Sequence, residues 1–423
     1  MATNLVNKNE KKSNLRTRLV PGIFLIVAGM VILLLFGVNI QSGQQTTFGL
    51  TPLGDTNVIP IPDLVLPVQG AIYILALITF FVGGWQLARG VRSTTLLIGA
   101  VAFCFIAAFL IWAARGKSMD LLGMMNTSIV RATPIALAAL CGVVSERAGV
   151  VNIALEGIML MSALTSVMVA TLSHNLYAGL LAGILTGMFV AALHAILVIQ
   201  FKVDQIISGV AINIIGTGAT SFISNRYMQT NIDTLNNSGV FSNLPIPLLV
   251  KIPILGPVLF ENNLIVYLML ILVAVIYVLL FYTPWGLRTR AVGEHQKAAD
   301  TLGINVYLTR YINVILGGLI AGIGGSYFTI GSVGRFDQLM TAGKGFIGLA
   351  AMIFGNWNPI GALGSSLIFG FADSLQVKMQ ILQTPIPTEF LQMAPYIVTI
   401  VVLAGVVGHV HPPAADGTAY EKQ

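Results

Sequence analysis

The chain has 423 residues, of which 56% are hydrophobic and only 9% charged, and its net charge is +6. Its mean hydropathy of +0.86, and many apolar runs near the roughly 20 residues that a spanning helix needs, exclude a water-soluble globular protein. Alternating ten-residue segments, the mark of a transmembrane β-barrel, are missing, and the basic residues are spread through short connections rather than gathered into a nucleic-acid patch.

The sequence predicts an all-α, polytopic transmembrane bundle, with membrane segments at 19–38, 70–88, 95–114, 120–144, 150–172, 176–199, 205–226, 264–283, 307–331, 344–358, 361–380 and 389–408. The first run follows Lys8, Lys11, Lys12, Arg16 and Arg18, lacks a small-x-small cleavage site, and reads as a retained span rather than a signal peptide. With a cytoplasmic N-terminus, alternation places fourteen Lys and Arg inside and seven outside, which favours that orientation and puts 286–306 and the C-terminus inside. The outer loops 39–69 and 227–263 are rich in turn formers. Three regions follow: an N-terminal extension over 1–115 with two or three spans, a core over 116–408, and a tail over 409–423 that reads as disordered. The 44 glycines exceed the usual share of about 7%, which suits close helix packing and broken or re-entrant helices. Cys104 and Cys141 lie in apolar runs and read as small core residues.

A weak internal echo links Leu180–Val198 with Ala362–Met379, each preceded by a Gly-rich, partly polar segment. In the predicted topology the two spans run in opposite directions, as in an inverted repeat whose pathway lies between the copies.

Polar residues inside the membrane are candidates for that pathway. In "SERAGVVNIALEGIML", Ser145–Leu160, Asn152 and Glu156 stand four residues apart on one helix face. An ionised carboxylate at bilayer depth costs roughly 2.5–3.5 kcal/mol, so Glu156 must face a cavity, find a partner or stay protonated. Asn213 in "SGVAINIIGTGATS" and Asp373 in "FGFADSLQVKM" are two more candidates. The competing readings are a Glu paired with Arg147 near the interface, an Asn joining helices, and an Asp in an ion pair. His409 and His411 lack further ligands and read as a polar tail, so no metal or other cofactor is expected.

The segment "RAVGEHQKAADTLGINV", Arg290–Val306, reads as a soluble helix stranded between two spans. Gly293 is placed to begin a short helix, Glu294 to favour its N-terminal end, and Gly303 to take the left-handed position after it. Ala298, Ala299 and Leu302 make a small apolar face that admits a close partner. No phosphate loop, H-E-x-x-H or nucleophile elbow occurs; "AGKGF" at Ala342–Phe346 lacks the required earlier Gly and the Ser/Thr. The reading is a transport subunit and no enzyme, so any energy from ATP enters through another chain.

"GLRTRAVGEHQKAADTLGINV" resembles the coupling-helix segment of ATP-binding-cassette importer permeases of the ribose, nucleoside and branched-chain amino-acid group. "SERAGVVNIALEGIMLMSAL" and "GKGFIGLAAMIFGNWNPIGALGSSLIFGFADSLQ" resemble the nucleoside and simple-sugar subgroup, and the likeness spans about residues 120 to 408. Gly-Glu-His-Gln-Lys departs from the commoner Gly-Glu-Asn-Pro start, and residues 1 to about 115 match less well. The resemblance implies a bacterial cell-membrane importer, most simply for nucleosides, with a cytoplasmic ATPase, a second related permease and an extracellular substrate-binding lipoprotein as partners. Arg290, Gly293, Glu294, Ala298, Ala299, Leu302 and Gly303 would meet the ATPase, and Asn152, Glu156, Asn213 and Asp373 would line or support the pathway. The alternatives are a ribose-like sugar permease, an ion-coupled transporter using Glu156 and Asp373, and a structural subunit with no pathway.

Overall fold

The computed structural model describes residues 19–38, 40–41, 43–51, 61–90, 94–393, 396 and 410–422. Among these, nine helices are long and apolar enough to cross a membrane. The chain is a polytopic helical membrane protein. It divides into two compact units, Met1–Leu122 with Lys378–Pro387, and Gly123–Val377 with Thr388–Gln423.

In the first unit, helix α1 (Leu19–Gly37) ends in a π turn over Leu33–Gly37 and packs on α2 (Val68–Arg89). Helix α3 (Thr94–Ala113) follows, and Phe36 meets Phe105 and Phe109 edge-on at 5.4 and 5.8 Å. Part of the long loop before α2 is strand. β1 (Gln45–Gly49) pairs antiparallel with β2 (Leu64–Pro67), Gln45 opposite Pro67, and parallel with β3 (Ser118–Asp120), Thr47 opposite Ser118.

The second unit holds the rest of α4 (Leu121–Glu146), then α5 (Leu155–Ser173), α6 (Leu176–Ala195) and α7 (Gln205–Ile223). After short irregular elements come α8 (Leu264–Tyr282), α9 (Pro284–Glu294), α10 (Gln296–Thr301) and α11 (Val306–Phe328). Helices α12 (Lys344–Phe354) and α13 (Pro359–Ile381), the latter as far as Val377, follow. Helices α4 and α11 are largely buried, whereas α7 buries one side only and turns Ile206, Ile207, Ile214 and Ile215 outward, as a lipid-facing helix does. Helices α5, α6 and α11 pack so closely that a Cβ on Gly187 would stand 2.3 Å from the Gly318 carbonyl oxygen. Small residues allow that approach where lipid supplies no hydrophobic drive.

Two helices are broken, in different ways. The expected segment 150–172 begins as a helix only at Leu155, leaving Val150–Ala154 irregular. The expected segment 344–358 is helical only over Lys344–Phe354. At about 1.5 Å per residue those 11 residues cover roughly 16 Å, about half of the ~30 Å hydrocarbon layer. The echo between α6 and α13 is uneven: Gly183 and Gly187 both meet neighbouring backbone or side chains, while Gly364 faces open space and Gly370 meets α4. Most of the expected last segment, 389–408, lies outside the described residues.

The tail corrects the sequence reading. Residues 410–422 pack against the bundle, and Tyr420 is only 4% exposed, in one cluster with Val292, Ala299 and Val306. The side chains of Glu294, Gln296 and Arg310 hold its backbone. His409 lies outside the described residues, and the His411 amide donates to Asn356 Oδ1 at 3.0 Å.

Candidate functional site: a polar network inside the bundle and a helical hairpin at its end

Helix α12 starts inside the bundle, so its first amides need partners there. Glu156 supplies them. Its Oε1 accepts from Thr341 Oγ1 at 2.6 Å and the Gly343 amide at 2.8 Å, and its Oε2 accepts from the Gly345 amide at 2.7 Å. The carboxylate therefore caps a half-helix, where its charge also meets the positive end of the helix dipole. Gly343 enters the turn at φ +76°, and a Cβ on Gly345 would lie 2.7 Å from the Glu156 carboxylate. This explains why "GKGF" has glycine on both sides of its lysine.

That lysine points to a second carboxylate. Lys344 Nζ lies 2.8 Å from Asp373 Oδ2, and Arg131 Nη1 lies 3.1 Å from the same atom. Asp373 and Lys344 have side chains 12% and 18% exposed, while Arg131 is 37% exposed and its Nε is buried without a hydrogen-bond partner. Arg131 and Lys344 are thus members of the network that the sequence reading missed. A lone arginine in the middle of an apolar run was the available signal.

Asn152 and Asn213 serve the broken start of α5. Asn213 Oδ1 accepts from the Gly157 amide at 2.7 Å, and its Nδ2 donates to the Ile153 carbonyl at 2.8 Å. Asn152 is fully buried, and its Oδ1 accepts from the Ala154 amide at 3.2 Å. Both satisfy backbone groups that the missing helical turn leaves unpaired. The expected shared face of Asn152 and Glu156 does not form, because Asn152 precedes the helix. The sequence candidates fall into two sets, Glu156 with α12 and Asp373 with Lys344 and Arg131, with the asparagines supporting the first.

The hairpin at the bundle's end differs from the single helix expected from Gly293 onward. Gly293 lies inside α9, His295 is extended at φ −152°, and α10 begins only at Gln296. Gly293 is required there by close approach, since a Cβ would stand 2.3 Å from the Arg147 carbonyl oxygen. Ala299 is buried, while Lys297, Ala298 and Leu302 face outward and Leu302 is 82% exposed. The expected common apolar face is therefore split between the core and the outside. Gly303 takes the left-handed turn at φ +81°, as expected. Arg290 stacks over the Phe281 ring at 5.1 Å, and Glu294 Oε2 accepts from the Ala414 amide at 3.4 Å. Leu302 also borders a groove of about 560 Å³ whose other walls include Trp285, Leu287, Leu308 and Ile312.

A many-span bundle with a half-helix inside and a helical hairpin at one end has the build of a membrane permease component. The chain belongs to the family described as the branched-chain amino acid transport system / permease component, whose family model matches residues 124–403. It is 42% identical over 325 residues to the guanosine ABC transporter permease protein NupQ of Bacillus subtilis, covering 72% of this chain and 99% of that protein. It is 40% identical over 306 residues to the nucleoside ABC transporter permease protein NupC of Lactococcus lactis, covering 70% and 95%. A putative glucose ABC transporter permease protein of Haloferax volcanii is 34% identical over 308 residues, covering 67% and 91%. No solved structure matches the chain.

Proposed function

We propose that this chain is the membrane subunit of an ATP-driven importer of nucleosides. A partner ATPase docks on α10, a second related permease completes the pathway, and an extracellular binding lipoprotein delivers the substrate. The hairpin and both termini then face the cytoplasm. The observation that carries this reading is the outward set of Lys297 and Ala298 on the six-residue α10 and Leu302 just after it, between two spans. An exposed leucine capping a helix too short to be stable alone suits a surface completed by another protein. The nucleoside assignment rests on the two relatives that carry nucleoside names at 40% identity or more.

The inner network argues against ion coupling. Glu156 is fully engaged by Thr341, Gly343 and Gly345, and Asp373 is matched by two cations. Neither carboxylate is left to load and release an ion. The glucose-named relative favours a second reading, a simple-sugar permease. One uptake experiment tests both the coupling and the substrate. Labelled guanosine uptake by the assembled transporter should be competed by other nucleosides and not by ribose or glucose. Leu302→Glu should abolish uptake and co-purification of the ATPase while the membrane bundle remains folded. Sugar competition selects the second reading, and retention of the ATPase by Leu302→Glu removes the docking assignment.

A further inference from the structure

The tail joins parts of the second unit that are far apart in sequence, all at the end of the bundle that carries the hairpin. The Ala415 amide donates to the Gly293 carbonyl of α9 at 2.8 Å. Gln296 Nε2, at the start of α10, donates to Thr418 Oγ1 at 2.8 Å. Arg310 Nη2, on α11, donates to the Thr418 carbonyl at 2.9 Å and to the Gly149 carbonyl at 3.0 Å. Arg310 Nε also donates to the Ala148 carbonyl at 3.3 Å, so one nearly buried guanidinium grips the tail and the turn after α4 together. Tyr420 closes the arrangement, with its ring edge-on to Tyr307 at 5.2 Å and packed against Val292, Ala299 and Val306.

Helix α9 is held by Gly293 against Arg147 and by Thr289 against Asn313, whereas α10 has few other holds on the bundle. Helix α10 has six residues, and its two buried side chains are Gln296 and Ala299. Gln296 bonds the tail, and Ala299 lies in the cluster that Tyr420 fills. Without the tail, Ala299 would keep Val292 and Val306 but lose Tyr420, and Gln296 would be left with a polar group to satisfy. The Lys202–Glu421 pair at 2.6 Å is open to water on both sides and contributes little. Beside the Ala415–Gly293 backbone bond, the side-chain hold comes from Thr418 and Tyr420.

We propose that residues 410–422 are a strap that transmits movement of α10 into the membrane bundle, with Thr418 and Tyr420 as its positioning residues. The inference rests on the reading of α10 as the ATPase contact. The route is a chain of direct contacts: Gln296 to Thr418, Thr418 to Arg310, and Arg310 to Ala148 and Gly149. That turn leads through Val150–Ala154 to Glu156, which holds the start of α12. A push on α10 thus reaches the half-helix through hydrogen-bonded groups rather than through a flexible linker. The test reads transport and ATP hydrolysis separately, since coupling is their ratio.

The test uses the assembled transporter in proteoliposomes, with guanosine uptake and ATP hydrolysis measured on the same preparation. Removing residues 410–423 should leave the ATPase bound and hydrolysing, while transport per ATP falls about tenfold, within the usual span of coupling effects. Tyr420→Ala should cause a comparable loss, and Tyr420→Phe should restore coupling, since packing of the ring carries the effect. Thr418→Val tests the same point without truncation and should lower the ratio severalfold. Combined with Gln296→Ala it should cost no more than either change alone. Wild-type transport per ATP after truncation overturns the strap. Loss of the ATPase from the truncated chain also overturns it, in favour of a tail that is itself the docking surface. Failure of the underlying reading looks different: Leu302→Glu would then retain the ATPase whatever the tail does.

Discussion

The chain has two concentrations of polar groups, and they are finished in opposite ways. Inside the bundle, the carboxylates of Glu156 and Asp373 meet donors from the same chain, and their charges are met where they stand. At the end of the bundle, the hairpin keeps Lys297, Ala298 and Leu302 outward while Gln296, Ala299 and Gly293 are held from beneath. The contrast follows from the surroundings. Hydrocarbon cannot solvate an ion, so the inner groups must satisfy one another. Water and a partner protein can serve the outer ones. A self-sufficient network fixes structure, whereas an unfinished surface invites assembly.

Substitutions can break this contrast, and the inner network should respond most. Asp373→Leu leaves Lys344 uncompensated in a mostly buried position. Breaking such a pair costs about 3 kcal/mol, the low end of its usual range because Arg131 is partly open to water. Thermal unfolding in detergent should show the loss, and adding Lys344→Met should recover part of it. If Asp373→Leu melts like the wild type, the pair is not structural. Glu156→Gln comes next. Its amide nitrogen would confront either the Gly345 amide or the donors at Oε1, so roughly 1.5–3 kcal/mol should be lost. Faster hydrogen exchange at Gly343 and Gly345 would locate that loss, and unchanged exchange would refute the cap.

The smallest effect concerns the tail and pH. Burial raises the Asp416 carboxyl from its ordinary value of 3.8 to about 6, with Glu146 and Arg310 facing it. An acid whose value is raised in the docked state binds its proton more tightly there. Its contribution to docking is therefore complete below about pH 4 and fades as pH rises through about 6. Hydrogen exchange of residues 410–422 should be slower at pH 5 than at pH 7.5 once corrected for intrinsic rates. Asp416→Asn should flatten the difference, and corrected exchange that slows as pH rises would contradict the assignment.

The long helices were legible because their signal is local. An apolar run near spanning length predicts a span whatever it packs against, and nine of the expected segments lie within a few residues of α1 to α4, α6 to α8, α11 and α13. The breaks were harder, because distant residues create them. Val150–Ala154 stays irregular because Asn213, more than fifty positions away, satisfies Ile153 and Gly157. Lys344 and Glu156 are further apart still, so "GKGF" offered only its glycines as a hint. The tail was misread for a similar reason. Pro412, Pro413 and Gly417 suggest an unstructured end, yet Thr418 and Tyr420 find partners at Gln296, Tyr307 and Arg310 that no local pattern reveals.

The contact between Gly187 and Gly318 has a mechanical consequence. Where two helices meet backbone to backbone, there are no side chains at the joint to change rotamer and let one slide past the other. Helices α6 and α11 then behave as one stiff beam, and any change of shape during a transport cycle must be absorbed beyond it. The π turn at Thr329–Val333, directly after α11, is placed to act as its hinge.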